Sequence, residues 1–116
     1  MILNAGLKLE IVLTAAKTTN DMDVTVDFLD YDKHNIPTVP DTVRTASNGT
    51  TDVTILAAPT NPRREPLRIC IYNADTADKI AIIKTDDGTT QRVDVRRSIT
   101  TLTSLIWERK VGWYTT

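Results

Sequence analysis

The chain has 116 residues, 41 % hydrophobic and 25 % charged, which suits one globular domain over residues 1–116 with a modest core and excludes disorder or low complexity. Its formal net charge of -1 leaves no global positive field to hold nucleic acid by counterion release, so direct nucleic-acid binding is not expected. One cysteine, Cys70, and one histidine, His34, exclude an intramolecular disulfide and a Cys/His zinc site within one chain.

The start, Met1-Ile2-Leu3-Asn4-Ala5-Gly6, has no basic leader, and no apolar run approaches the roughly 20 residues of a membrane span, so a cytoplasmic product without a membrane partner is expected. Threonine, valine and isoleucine recur along the chain, and β-branched side chains favour the pleated surface of a strand over a helix. Leu7 to Leu13 sets Leu7, Leu9, Ile11 and Leu13 on one face and Lys8 and Glu10 on the other, the period of a half-buried strand. After a Thr19-Asn20-Asp21 turn, Met22 to Phe28 alternates in the same way and extends toward Tyr31.

Residues 32–48 contain Pro37, Pro40 and many small polar residues, and read as a long connection with a short strand near Thr42 to Thr45. Thr51 to Leu56 resumes strand character. The loop from Thr60 to Pro66, with Pro59 just before it, is predicted to exclude regular structure because proline cannot donate to a ladder. Leu67 to Tyr72 alternates again and runs into Asn73-Ala74-Asp75, a turn candidate. Asp87-Gly88 predicts a hairpin between Ile80–Ile83 and Gln91–Val95, because Asp-Gly suits a turn with positive φ. Thr101 to Trp107 gives a further strand, and Gly112-Trp113-Tyr114 follows a charged turn. Seven or eight short strands in one domain imply an all-β fold, an antiparallel sandwich or jelly-roll-like barrel.

The chain carries little that points to catalytic chemistry. The acidic run Asp21, Asp23, Asp27, Asp30 and Asp32 lacks the glycine and closing glutamate of an EF-hand, and Asp23 and Asp27 fall on the polar face of a strand, so no metal is assigned. His34 lies in a polar loop without a nucleophile motif, no pair of carboxylates stands out for glycoside chemistry, and the scattered glycines form no phosphate cradle. Neither catalysis nor a cofactor is expected. Arg63, Arg64 and Arg68 with Arg92, Arg96 and Arg97 are candidates for a basic stripe against nucleic acid or an acidic protein surface. Near the end, Trp113 is expected to plug the core, whereas Trp107 could face the core or a partner. The candidate partner contacts are Arg63, Arg64, Arg68, His34, Trp107 and Tyr114.

From Thr51 onward, "ILAAP" with Ala57-Ala58-Pro59, the following Arg63-Arg64, "LRICIYNADTAD" with Asn73-Ala74-Asp75, and "LTSLIWERKVGWYTT" with Leu102, Leu105 and Gly112-Trp113 resemble small virion proteins of tailed bacteriophages. The charged Trp107-Glu108-Arg109-Lys110 departs from the more acidic, glycine-containing turn of that pattern. The resemblance implies a virion component without catalytic residues: a head-decoration or cement protein, homo-oligomeric, whose partners are the major capsid protein or other virion proteins. A place in the neck, tail or fibre base is the alternative, and a carbohydrate- or receptor-binding β-module is an expectation of another class.

Overall fold

The alternating segments form ten strands and no helix in the computed structural model, which describes residues 1–116. In chain order they are β1 Leu3–Asn4, β2 Lys8–Leu13, β3 Asp23–Tyr31, β4 Asp41–Ala46, β5 Val53–Leu56, β6 Arg63–Tyr72, β7 Lys79–Asp86, β8 Gln91–Ile99, β9 Ser104–Glu108 and β10 Gly112–Thr115. One sheet runs β10-β9-β6-β3-β4, with β1 pairing beside the start of β6; the other runs β5-β2-β7-β8. All pairs are antiparallel, and the two sheets pack face to face as a β-sandwich.

Strand register explains the core. In the six-stranded sheet Trp113, Trp107, Ile69, Val26 and Val43 form one inward row, and Leu105, Ile71 and Val24 lie in the next. The four-stranded sheet answers with Ile11, Ile83 and Val95, and with Leu13 beside Ala81. All but Val43, Val95 and Trp113 belong to one cluster of 17 buried residues shared by both sheets, and those three are partly buried against it. Burying each large aliphatic contributes about 1.5–3 kcal/mol, so this cluster is the main favourable term of the fold.

Four expectations change. Ten strands replace seven or eight. The strand near Thr42 to Thr45 is longer, Asp41–Ala46, because it pairs with β3 over its whole length. Residues 63–66 are not loop but the first part of β6, despite Pro66. The proline fits because on one side the β3 ladder shifts register between Asp27 and Phe28, while on the other Pro66 falls between the residues paired with β1 and those paired with β9. Finally, Thr101 to Thr103 precede β9 in a turn where Leu102 has φ 59 and is 67 % exposed.

The Asp87-Gly88 hairpin forms with a four-residue loop, since Asp86 pairs with Gln91. Gly88 has φ 92, and Asp87 Oδ1 accepts the N–H groups of Thr89 at 2.8 Å and Thr90 at 2.7 Å. The Thr90 and Thr89 donors hold the Asp87 carboxyl below the usual carboxylate range.

Candidate interaction surface

The structure separates the acidic run. Asp21 accepts Gly49 N–H at 3.1 Å and pairs with Lys17, and Asp27 accepts the Thr42 hydroxyl at 2.7 Å. Asp30 takes two Arg64 donors at 2.7 and 3.0 Å, and Asp32 accepts the N–H groups of His34 and Ile36 at 2.8 and 3.0 Å. No group of three or more His, Cys, Asp or Glu side chains is arranged to hold a metal. His34 is exposed on this turn.

The remaining candidates divide by face. Trp107 lies in an inward row at 7 % exposure, so it fills the core and offers nothing to a partner. Trp113, expected to plug the core, is half-buried at its rim and donates its indole N–H to Asp94 at 2.8 Å, across to β8. Arg64 is also internal: its guanidinium lies 4.5 Å from the Phe28 ring centroid, pairs with Asp30, and donates to the Ala57 carbonyl at 2.8 Å, tying the end of β5 to the other sheet. The basic stripe does not form as expected, because Arg63, Arg64 and Arg68 lie on β6 while Arg92, Arg96 and Arg97 lie on β8 of the opposite sheet.

Arg63, Arg68 and Tyr114 do share a surface, the outer face of the six-stranded sheet. There the Arg63 guanidinium sits 3.8 Å from the Tyr31 ring centroid. Tyr31 Oη donates to Glu65 at 2.8 Å, and Arg109 donates to the other Glu65 oxygen at 3.2 Å. Burial raises the Glu65 carboxyl, but the Tyr31 and Arg109 donors outweigh it and hold the group below its usual range. Further along, Glu108 pairs with Arg68 at 3.5 Å and accepts the Tyr114 hydroxyl at 2.9 Å. That bond to a carboxylate raises the Tyr114 phenol above its usual value. Between them, Ile106 registers with both Tyr114 and Cys70, and is 6 % exposed although it lies outside the central cluster. The face is therefore an aromatic and arginine surface held in place by ion pairs.

Two buried polar centres were not singled out by sequence. Asn73 and Asp75, read as a turn and as part of the resembling motif but not as buried groups, are 0 % and 1 % exposed. Asn73 Nδ2 donates to the carbonyls of Ile99 at 2.8 Å and Ala77 at 3.0 Å, while its Oδ1 accepts Asp75 N–H at 3.0 Å. The Asp75 carboxylate accepts the N–H groups of Thr18 at 2.8 Å, Thr19 at 2.7 Å, Asn20 at 3.2 Å and Thr76 at 2.8 Å. Lys79 stands 3.8 Å away, and the Thr101 hydroxyl donates to the Asp75 carbonyl. Burial raises the Asp75 carboxyl, yet the four N–H donors hold it far below its usual range. The pair thus fastens the β2–β3, β6–β7 and β8–β9 connections together. A hint existed in sequence, because Asn-x-Asp followed by threonine is typical of side chains that bond nearby backbone.

Glu10 is the second centre and a correction. Expected on a solvated polar face, it is 4 % exposed, because β2 is flanked by β5 and β7. Its Oε2 lies 3.4 Å from Lys8 Nζ, whereas its Oε1 is buried without a partner. Burial and the neighbouring Asp86 carboxyl raise Glu10 above its usual value, with Lys8 opposing.

No pocket opens on this surface. No protein family profile, curated protein or solved structure matches the chain.

Proposed function

We propose that the chain is a structural component of a bacteriophage virion, a head-decoration or cement protein that holds neighbouring shell subunits together through the outer face of its six-stranded sheet. The observation that carries this reading is that face itself. Tyr31, Arg63, Arg68 and Tyr114 present the side chains most enriched at the centres of protein interfaces. Arg68 is ion-paired with Glu108, Tyr114 donates to the same carboxylate, and Tyr31 donates to Glu65 while stacking on Arg63, which pre-orders the four and reduces the side-chain entropy lost on docking. The sequence resemblance over residues 51–116 supplies the virion setting, and a repeated shell supplies the symmetry that makes one modest contact effective. In this role the protein acts without catalysis, as one of many copies.

The test is quantitative mass spectrometry of purified particles of the virus that encodes the chain. Hundreds of copies per particle are expected; a dozen or fewer place it at the neck or tail, and absence from particles overturns the reading. A Arg68→Glu/Tyr114→Ala variant that still folds is expected to be lost from particles. Incorporation at the normal copy number would remove this face from the proposal.

A further inference from the structure

The other sheet ends in an edge that the virion reading does not use. β8 has nine residues, about 30 Å of chain, and pairs only with β7. Of the other sheet edges, β10 and β5 have four residues each, and β4 packs beside β5 along the opposite side of the sandwich. Along β8, Gln91 to Asp94 and Arg96 to Ser98 are exposed, and Val93 is 62 % exposed. A long free edge presents unpaired backbone donors and acceptors to another extended chain.

Its charge identifies the occupant. Arg92, Arg96 and Arg97 have no carboxylate partner, whereas Arg64, Arg68 and Arg109 each do. The strand's one carboxylate, Asp94, accepts the Trp113 indole N–H. Arg92 and Arg97 register with Thr85 and Ala81, and so project to the inner side of the sheet, while Arg96 registers with Ile82 and projects to the outer side. Positive charge therefore flanks the edge on both faces. A second copy of β8 paired antiparallel over its full length would set only Arg96 against a carboxylate, Asp94, and would leave Arg92 opposite Ser98 and Arg97 opposite Val93 without one. An acidic strand can supply carboxylates to all three.

We propose that the free edge of β8 binds an extended acidic segment of a partner protein, which adds to the four-stranded sheet as a fifth strand and places carboxylates against Arg92, Arg96 and Arg97. Main-chain hydrogen bonds supply the affinity, and the arginines supply the choice of partner. The inference stands apart from the virion reading, since it uses the opposite sheet and names a chemistry rather than a particle.

The test uses the full chain and a blocked, fluorescent nonapeptide, Val-Glu-Glu-Val-Thr-Glu-Glu-Val-Thr, whose Glu pairs place a carboxylate on each face of a strand. At low salt, fluorescence anisotropy should show saturable binding, with amide chemical-shift changes concentrated on β8. The same peptide with Lys for Glu, or with alternate backbone nitrogens methylated, should bind at least about tenfold more weakly. A protein variant carrying Arg92→Gln, Arg96→Gln and Arg97→Gln should also lose binding, and restoring Lys at the three positions should recover most of it. Equal affinity for the methylated peptide, shift changes confined to other strands, or tighter binding of a single-stranded oligonucleotide of equal charge would overturn the proposal. So would a homodimer joined through β8.

Discussion

The two buried polar centres, one in the β6–β7 turn and one in the middle of β2, are completed differently. Asp75 is surrounded by backbone N–H groups from its own turn and from the β2–β3 connection, so its charge is fully solvated by the protein. Glu10 lies mid-strand, where neighbouring N–H groups are committed to the β5 and β7 ladders, and only the partly exposed Lys8 reaches it. A carboxylate buried at a turn can recruit free backbone donors, whereas one buried on a strand depends on side chains. The first centre stabilises the fold as an anion, whereas burial at the second raises the carboxyl above its usual value.

The largest loss of stability is expected for Asn73→Ala. It strips partners from the buried Ile99 carbonyl, the half-buried Ala77 carbonyl and the buried Asp75 N–H, and each orphaned buried group costs about 1–3 kcal/mol. A loss of at least about 3 kcal/mol is expected in urea denaturation, with the m-value unchanged. A loss below about 1 kcal/mol would show that the staple is dispensable.

Asp75→Asn addresses the charge. Because the folded-state value of Asp75 is lowered, its stabilisation is present above the unfolded value near 4 and is lost as pH falls from there toward the folded value. The wild type should therefore lose thermal stability steadily below about pH 4. The variant should be less stable at pH 7 but show a flatter acid limb, leaving the slope due to Asp52, Glu65, Asp86 and Asp87, which are also lowered. Parallel limbs in a series of melts from pH 2 to 7 would remove Asp75 as the source.

Glu10 has the opposite sign. Its folded-state value is raised, so its contribution is fully present below the unfolded value near 4.5 and is lost as pH rises through the folded value. Lys8→Met removes its one cationic partner and should cost about 1 kcal/mol at pH 8, a modest figure because Lys8 is 36 % exposed, and little at pH 4. The smallest effect is expected for Glu10→Gln, a slight rise in melting temperature at pH 8 that disappears at pH 4. A fall at pH 8 would mean that the Lys8 pair outweighs burial.

Much of the sandwich was legible because a period of two directly names the residues that share a face. Ile69 with Ile71, Leu9 with Ile11, and Val24 with Val26 all emerged on the correct side. The hairpin emerged for an equally local reason, since Gly88 supplies the positive φ that its turn needs. The candidate surface was legible only in part. Arg63, Arg68 and Tyr114 share the outer face, but Trp107 obeys the same alternation as its neighbours and points inward, while Arg64 closes the end of the core.

The misses share a cause. Pro66 joins a strand because its missing N–H coincides with a register shift and a gap between two partner strands, neither visible from the proline itself. Glu10 is buried because of the strands beside it, and Asp75 is satisfied by residues more than fifty positions earlier in the chain.

By itself, then, the amino-acid sequence determined the strand content, most inward-facing side chains, the Asp87-Gly88 turn and the absence of a second cysteine or histidine. Each depends on residue identity or on neighbours two positions apart. Strand order, the depth of Asn73, Asp75 and Glu10, the place of Trp113 at the rim of the core and the exposure of the β8 arginines depend on tertiary structure. Those properties depend on which strands become neighbours, and that choice rests on long-range packing and register that no local period contains.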